Sequence, residues 1–143
     1  MKKQALAVAV ALGMSVVAAS QAQTRPRVMV TNIPFQFEAG GVRLPAGQYG
    51  IEFVTTGSGT IERIQQVDGK ASAQFSSITA EPREADGAPQ LVFHRYGNSN
   101  FLSEIRTGDG RALVLLQSKQ EQEAAHAQRS AGGQAVSVAA VVR

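Results

Sequence analysis

Short stretches of alternating apolar and polar residues, each ended by a turn signal, run through most of this chain. Tyr49, Ile51 and Phe53 are the clearest case, because a period of two places all three side chains on one face of a strand. Comparable stretches lie at 28–37, 48–55, 60–67, 71–79, 90–96, 100–107, 111–117 and 134–142. The pattern has no helices between strands, which a parallel sheet needs. It therefore predicts an all-β chain: an antiparallel sandwich or barrel of seven to eight short strands with one short late helix.

The first strand pattern changes parity near Pro34. Val28 and Val30 fall on one face, whereas Phe35 and Phe37 fall on the other. Proline has no N–H group to give to a sheet, so we expect a β-bulge or a strand break there.

Two hairpins are indicated by their turns. Asp68-Gly69 is typical of a type I′ turn, in which both central residues have positive φ. The segments 90–96 and 100–107 form the clearest hairpin, joined through 97–100. That register places Arg95 diagonal to Glu104, which alternates with Arg106 on the second strand. It predicts an exposed cross-strand ion pair between Arg95 and Glu104, with a stabilisation of under about 1 kcal/mol.

The last part of the chain changes character. Ser118-Lys119-Gln120-Glu121 fits a capping box and predicts a solvated helix over about 119–129, with alanine as its main apolar residue. The β-prone, uncharged segment that follows predicts a C-terminal strand over 134–142. It either closes the domain's own sheet or, if released, adds to the sheet edge of a neighbour.

The N-terminus has the three parts of a secretory signal peptide. Lys2 and Lys3 precede an apolar run from 5 to 19, and Ser20-Gln21-Ala22 supplies small residues at a cleavage site. The alternative is a membrane anchor, but the run is shorter than the roughly 20 residues that a spanning helix needs. We expect residues 1–22 to be removed, leaving a single β-rich domain at 23–143 in the periplasm or outside the cell, with no membrane span.

Composition narrows the function classes. The formal charge is +3, and Lys2 and Lys3 carry two of these charges, so the mature chain is nearly neutral. With no basic block, nucleic acid is a poor match as a partner. The chain has no cysteine, so the fold needs no disulfide and thiol chemistry is absent.

Two histidines are candidates for chemistry. His94 lies within a predicted strand, where it could be a general base or a metal ligand. The alternative, which we favour, is a half-buried histidine that is hydrogen-bonded to a neighbour. His126 lies on the solvated helix, and we expect no role for it.

Other possible site residues have simpler interpretations. Three Asp-Gly pairs could suggest calcium, but each is isolated and is explained by a turn. The serines lie in no G-x-S-x-G or S-x-x-K motif. We therefore predict no catalytic residue, no metal ligand and no cofactor, and hence no enzyme. The three Asp-Gly pairs that we interpret as turns are Asp68-Gly69, Asp86-Gly87 and Asp109-Gly110.

Five segments together resemble a family of small exported bacterial β-rich proteins. They are IPFQF at 33–37, LPAGQY at 44–49, LVFHRYG at 91–97, FLSEI at 101–105 and SKQE at 118–121. The resemblance spans most of the mature chain. It implies an exported β-rich domain and carries no activity, cofactor or site residue.

These observations favour a non-enzymatic exported domain with a structural or interaction role. Its partner would be a protein, or a second copy bound through a sheet edge. The alternative function is a β-barrel that binds a small apolar ligand. An enzyme is the third alternative, and it would require His94 to converge with a carboxylate and a hydroxyl in one cleft. The test between the first two functions is whether the aromatic residues fill the interior. The residues expected to do so are Phe35, Phe37, Tyr49, Phe53, Phe75, Phe93 and Phe101.

Overall fold

The computed structural model describes residues 28–56, 59–81, 87–129 and 132–143. The predicted signal peptide at 1–22 and Asp86, of the second Asp-Gly pair, lie outside the described residues.

The described chain forms ten strands and one helix. In chain order they are β1 (Val28–Ile33), β2 (Phe37–Ala39), β3 (Val42–Leu44), β4 (Gly47–Thr56), β5 (Gly59–Gln66), β6 (Ser72–Ala80), β7 (Gln90–Tyr96), β8 (Ser99–Arg106), β9 (Ala112–Leu115), α1 (Lys119–Ala127) and β10 (Gln134–Val142).

Eight of the strands close into an antiparallel barrel. Their order is β8-β7-β10-β1-β4-β5-β6-β9, and β9 pairs back onto β8 to complete the ring. Every neighbouring pair in the ring is antiparallel. The predicted all-β fold with one short late helix is confirmed, and of the two architectures left open it is the barrel.

The remaining two strands form a small hairpin beside the barrel. β1 ends at Ile33, and Pro34 begins a crossing segment that carries the chain to β2, which pairs in parallel with β8. The predicted interruption at Pro34 is thus a strand break. Gly40, at φ +57° in the tip of this hairpin, lies against β6. A Cβ atom there would approach the carbonyl oxygen of Gln74 and the Cβ of Phe75 to 2.9 Å each.

The C-terminal strand is one of the eight strands of the barrel wall, with a paired neighbour on each side. β10 pairs with β1 on one side, as at Val30 and Val141, and with β7 on the other, as at Phe93 and Val136. In this structure β10 therefore closes its own domain, and both of its edges are hydrogen-bonded.

Aromatic side chains fill the interior. Phe93 is fully buried and contacts Phe35 and Phe37 edge-to-face at centroid distances of 5.0 and 5.4 Å. Phe37 also contacts Tyr49 at 5.2 Å, and the Tyr49 hydroxyl donates to the Pro45 carbonyl at 2.6 Å. Such pairs add about 0.5–1.5 kcal/mol each to the effect of burial. The large aliphatic side chains that are fully buried with them are Met29, Ile33, Leu44, Ile51, Ile64, Leu91 and Ile105.

Phe101 is among the aromatic residues predicted from the sequence to fill the interior, and this assignment is wrong. Phe101 is buried but lies outside the core cluster, because it pairs with His94, while its neighbour Leu102 pairs with the inward-facing Phe93. Strand alternation then puts Phe101 on the outer face of the barrel.

The Asp68-Gly69 hairpin also differs from the prediction. β5 and β6 are joined by residues 67–71, and the Gln66 N–H bonds to the Ala71 carbonyl. Neither Asp68 nor Gly69 has positive φ. The longer connection removes the need for a type I′ turn, so that part of the prediction is wrong although the two strands do pair.

Candidate functional site

A hydrogen-bonded group of three side chains joins the outer wall of the barrel to the late helix. It consists of Ser103 on β8, His94 on β7 and Glu121 on α1, and we call it the His94 cluster. Phe93 points into the core, so alternation along β7 turns His94 outward toward α1.

The geometry of the cluster is a linear chain of contacts. His94 Nδ1 donates to Glu121 Oε1 at 2.9 Å, and His94 Nε2 lies 3.1 Å from Ser103 Oγ. The Glu121 side chain is only 5% exposed, whereas that of His94 is 37% exposed. The cluster therefore has a buried carboxylate, that of Glu121, and an imidazole that is partly exposed to solvent.

A bulge in the sheet positions the serine. Val92 pairs with Glu104 and Phe93 pairs with Leu102, so Ser103 is an extra residue on β8 without a partner on β7. A bulge re-aims a side chain relative to regular alternation. Here it allows Ser103 to reach the outward-facing His94 ring.

The environment of His94 favours its protonated form. The hydrogen bond that His94 donates to Glu121 raises the pKa of His94 above its ordinary value of 6.5; burial opposes this shift, and the charges of Glu121 and Glu104 add to it. When the ring is charged, both nitrogens carry protons, so Nδ1–H faces the carboxylate and Nε2–H faces the serine oxygen.

The helix cap continues the chain of contacts. Ser118 Oγ accepts from the Glu121 N–H at 3.1 Å and donates to Glu38 Oε1 at 2.7 Å. This is half of the predicted capping box. The Glu121 side chain does not complete the box, because its carboxylate bonds to His94.

The outcome for His94 agrees with the favoured sequence interpretation. It is a half-buried strand histidine that is hydrogen-bonded to neighbours. Its partners were missed, since Glu121 is 27 positions away. The only sequence signal for Glu121 was the capping box, which assigned its side chain another role.

The other predicted candidates are not brought into this cluster. His126 is exposed on α1 and accepts from Arg129 Nη2 at 2.6 Å. Asp68 and Asp109 lie in the connections between β5 and β6 and between β8 and β9. Across the ranges described, no group of three or more histidines or carboxylates has the geometry of a metal site.

The predicted Arg95–Glu104 ion pair is wrong. The β7–β8 connection has two residues rather than four, so Tyr96 pairs with Ser99 and Arg95 with Asn100. Arg95 Nε donates to Asn100 Oδ1 at 2.7 Å, and its guanidinium lies 5.4 Å from the centre of the Phe35 ring. Glu104 instead pairs with Arg106 on its own strand at 2.7 Å.

A second titratable group lies inside the barrel, where the sequence did not predict one. Glu62 on β5 has no exposed surface; Ser77 Oγ donates to its Oε1 at 2.8 Å, and Oε2 has no partner. Burial raises the pKa of Glu62, and the Ser77 hydrogen bond partly opposes that effect. In the sequence, Ile61 and Ile64 have opposite parities, so alternation alone does not decide which face of this strand is buried. The structure turns Ile64 and Glu62 inward and Ile61 outward.

A shallow polar groove lies at one end of the barrel, between the β2–β3 hairpin and the β7–β8 turn. Its volume is about 210 Å³. The exposed Arg43 lies on one side, and Glu38, the acceptor of the helix cap, contributes a carboxylate. The remaining lining residues are Gln36, Phe37, Asn98, Ser99, Asn100 and Phe101.

The fold places the chain in the general class of closed antiparallel β-barrels. Comparison with family models, curated proteins and solved structures gave no match. Within the described ranges, no helix is both long and apolar enough to cross a bilayer.

Proposed function

We propose that this chain is an exported, non-enzymatic β-barrel domain with a structural or interaction role in the cell envelope or outside the cell. The observation that carries the proposal is the filled interior. Phe93, Phe37 and Tyr49 pack against one another at the centre, where a ligand-binding barrel would have a chamber. Contacts with a partner would then be made on the outer surface.

The polar groove is the surface that we assign to a protein partner. It has an exposed cation in Arg43 and exposed amides in Gln36 and Asn98. Association through a sheet edge has less support, because β10 would have to leave two ladders before it could pair with another chain.

The interaction is tested by charge reversal in the groove. Arg43→Glu should reduce crosslinking of the purified domain to envelope proteins, while Lys70→Glu, in an exposed turn on another connection, should not. Equal crosslinking of the two variants would refute the groove assignment. Native mass spectrometry on protein from its own envelope gives a separate test, since a bound small apolar molecule would favour the ligand-binding alternative.

The non-enzymatic part of the proposal has its own test. Ser103, His94 and Glu121 have the order of a nucleophile, a base and an orienting acid. We assign them a structural role because they join α1 to the wall, and none of the three lines the groove. A fluorophosphonate probe should therefore leave Ser103 unlabelled. Labelling that is lost in both Ser103→Ala and His94→Gln would overturn this assignment.

Export is supported by the leader pattern. Expression of the full chain in a bacterial host, followed by intact-mass measurement, should give a product that begins at Gln23. A cytosolic product that retains Met1–Ala22 would contradict the proposal.

A further inference from the structure

The late helix has almost no apolar attachment to the barrel. Glu121 is its only buried residue, at 4% exposure. Its apolar side chains are three alanines, and none of the described core residues comes from α1. An isolated helix of nine residues is marginal in water, so α1 depends on whatever holds it against the wall.

Two polar contacts hold the start of α1. Ser118 bonds to Glu38, and Glu121 bonds to His94. A serine hydroxyl does not titrate near neutral pH, whereas histidine does. The charge state of His94 is therefore the variable part of the attachment.

The groups around His94 can be named from each element packed on it. α1 contributes Glu121, β8 contributes Ser103 and the Glu104 charge, and β7 contributes the Tyr96 ring at 6.2 Å. β10 places Ala135 opposite His94, which adds no charge. The charges that act on His94 are those of two carboxylates, and both favour the imidazolium; Arg106, also on β8, is paired with Glu104.

We propose that α1 is a pH-dependent cover on the β7–β8 wall, held closed while His94 is protonated and opening more readily once His94 loses its charge. Loss of the charge leaves Glu121, a buried carboxylate, without a counter-ion, which is costly in a low-dielectric site. Opening would uncover the outward face around His94 and Tyr96. It would also free Glu38 in the groove from its hydroxyl donor.

The direction of the pH effect on α1 follows from the raised pKa of His94. His94 has a raised pKa in the folded state, so its contribution is fully present below 6.5, its ordinary value. The contribution is lost as the pH rises through the folded pKa, which lies above 6.5. Acid therefore closes the cover and alkaline conditions loosen it. The inference is independent of what the barrel surface binds.

The test is hydrogen exchange of the α1 amides between pH 5.5 and 8.5, expressed as protection factors so that the intrinsic effect of pH cancels. In the wild type we expect α1 protection to fall roughly tenfold across this range. A tenfold change is at the low end for a hydrogen bond to a charged group. We expect the low end because His94 is partly exposed to water, which weakens its interaction with Glu121. Protection of β4 reports global stability, which the buried Glu62 also makes dependent on pH, so α1 should lose more protection than β4 does.

Two variants and a matched control complete the experiment. His94→Gln keeps a hydrogen-bonding side chain without the charge, so α1 protection should be low and independent of pH; Glu121→Gln should behave alike. His126→Gln, on the same helix but outside the cluster, should keep the wild-type profile. Wild-type protection of α1 that does not change with pH would overturn the proposal, as would α1 and β4 losing protection by the same factor. The wild-type profile decides the matter even if a variant fails to fold.

Discussion

Replacing Phe93 by alanine tests the filled interior on which the proposed function depends. Phe93 is fully buried and makes two edge-to-face contacts, with Phe35 and with Phe37. Phenylalanine-to-alanine changes in cores cost about 3–5 kcal/mol, since burial is lost and a cavity remains. Two aromatic contacts at the centre of the barrel place this site toward the upper end of that range.

This loss is large against the total stability of a small domain, about 5–15 kcal/mol. With a urea m-value of about 2 kcal/mol/M, a loss of 4 kcal/mol lowers the unfolding midpoint by about 2 M. The chain has no tryptophan, but the fluorescence of Tyr49 reports directly on the core. Val67→Ala, at a side chain that is 53% exposed, is the control and should change stability by less than about 0.5 kcal/mol.

A small apolar molecule adds a sharper readout. An engineered cavity lined by apolar side chains can bind benzene, so benzene should raise the melting temperature of Phe93→Ala. The wild type should not respond, because its interior is already occupied. If benzene stabilises the wild type, or if Phe93→Ala costs less than about 1 kcal/mol, the interior is not packed as described, and the ligand-binding alternative gains support.

The remaining predictions concern the buried Glu62 and the glycine at the tip of the β2–β3 hairpin. Glu62→Gln should flatten the dependence of stability on pH: the raised pKa of Glu62 means that wild-type stability is full below 4.5, its ordinary value, and falls as the pH rises through the folded pKa. Urea unfolding from pH 4 to 8 measures this, with Glu81→Gln as an exposed control, and equal slopes for Glu62→Gln and the wild type would contradict the argument. Gly40→Ala should cost about 2 kcal/mol in thermal unfolding, because it combines positive φ with a clash against the β6 backbone. Gly41→Ala, also at positive φ but with open space around the added Cβ, should cost less; an equal loss would remove the clash from the explanation.

The strands could be predicted from sequence because their signals are local. The alternation of Tyr49, Ile51 and Phe53 and the turn residues between segments act within a few positions, and the structure has strands at these places. The start of α1 was equally local, since the Ser118 cap needs only the following turn. These features depend on backbone geometry and burial, which neighbouring residues largely determine.

The candidate site was much less predictable, because it depends on long-range pairing. One extra residue at Ser103 changes which side chains oppose each other across β7 and β8, and nothing in the sequence marks that bulge. The meeting of His94 with Glu121 requires the helix to cross back over the wall. Glu62 was missed for a related reason: strand composition places carboxylates outward, and only closure of the ring shows that its face is enclosed.

The position of β10 between β1 and β7 has a consequence for how this polypeptide is made. β10 joins the two halves of the sheet and follows all the other strands in the sequence, so a nascent chain that lacks β10 cannot complete the ring. Ladders between such distant segments also form slowly. A chain still without β10 is therefore incompletely folded, which is the condition that threading through a narrow protein-conducting channel requires.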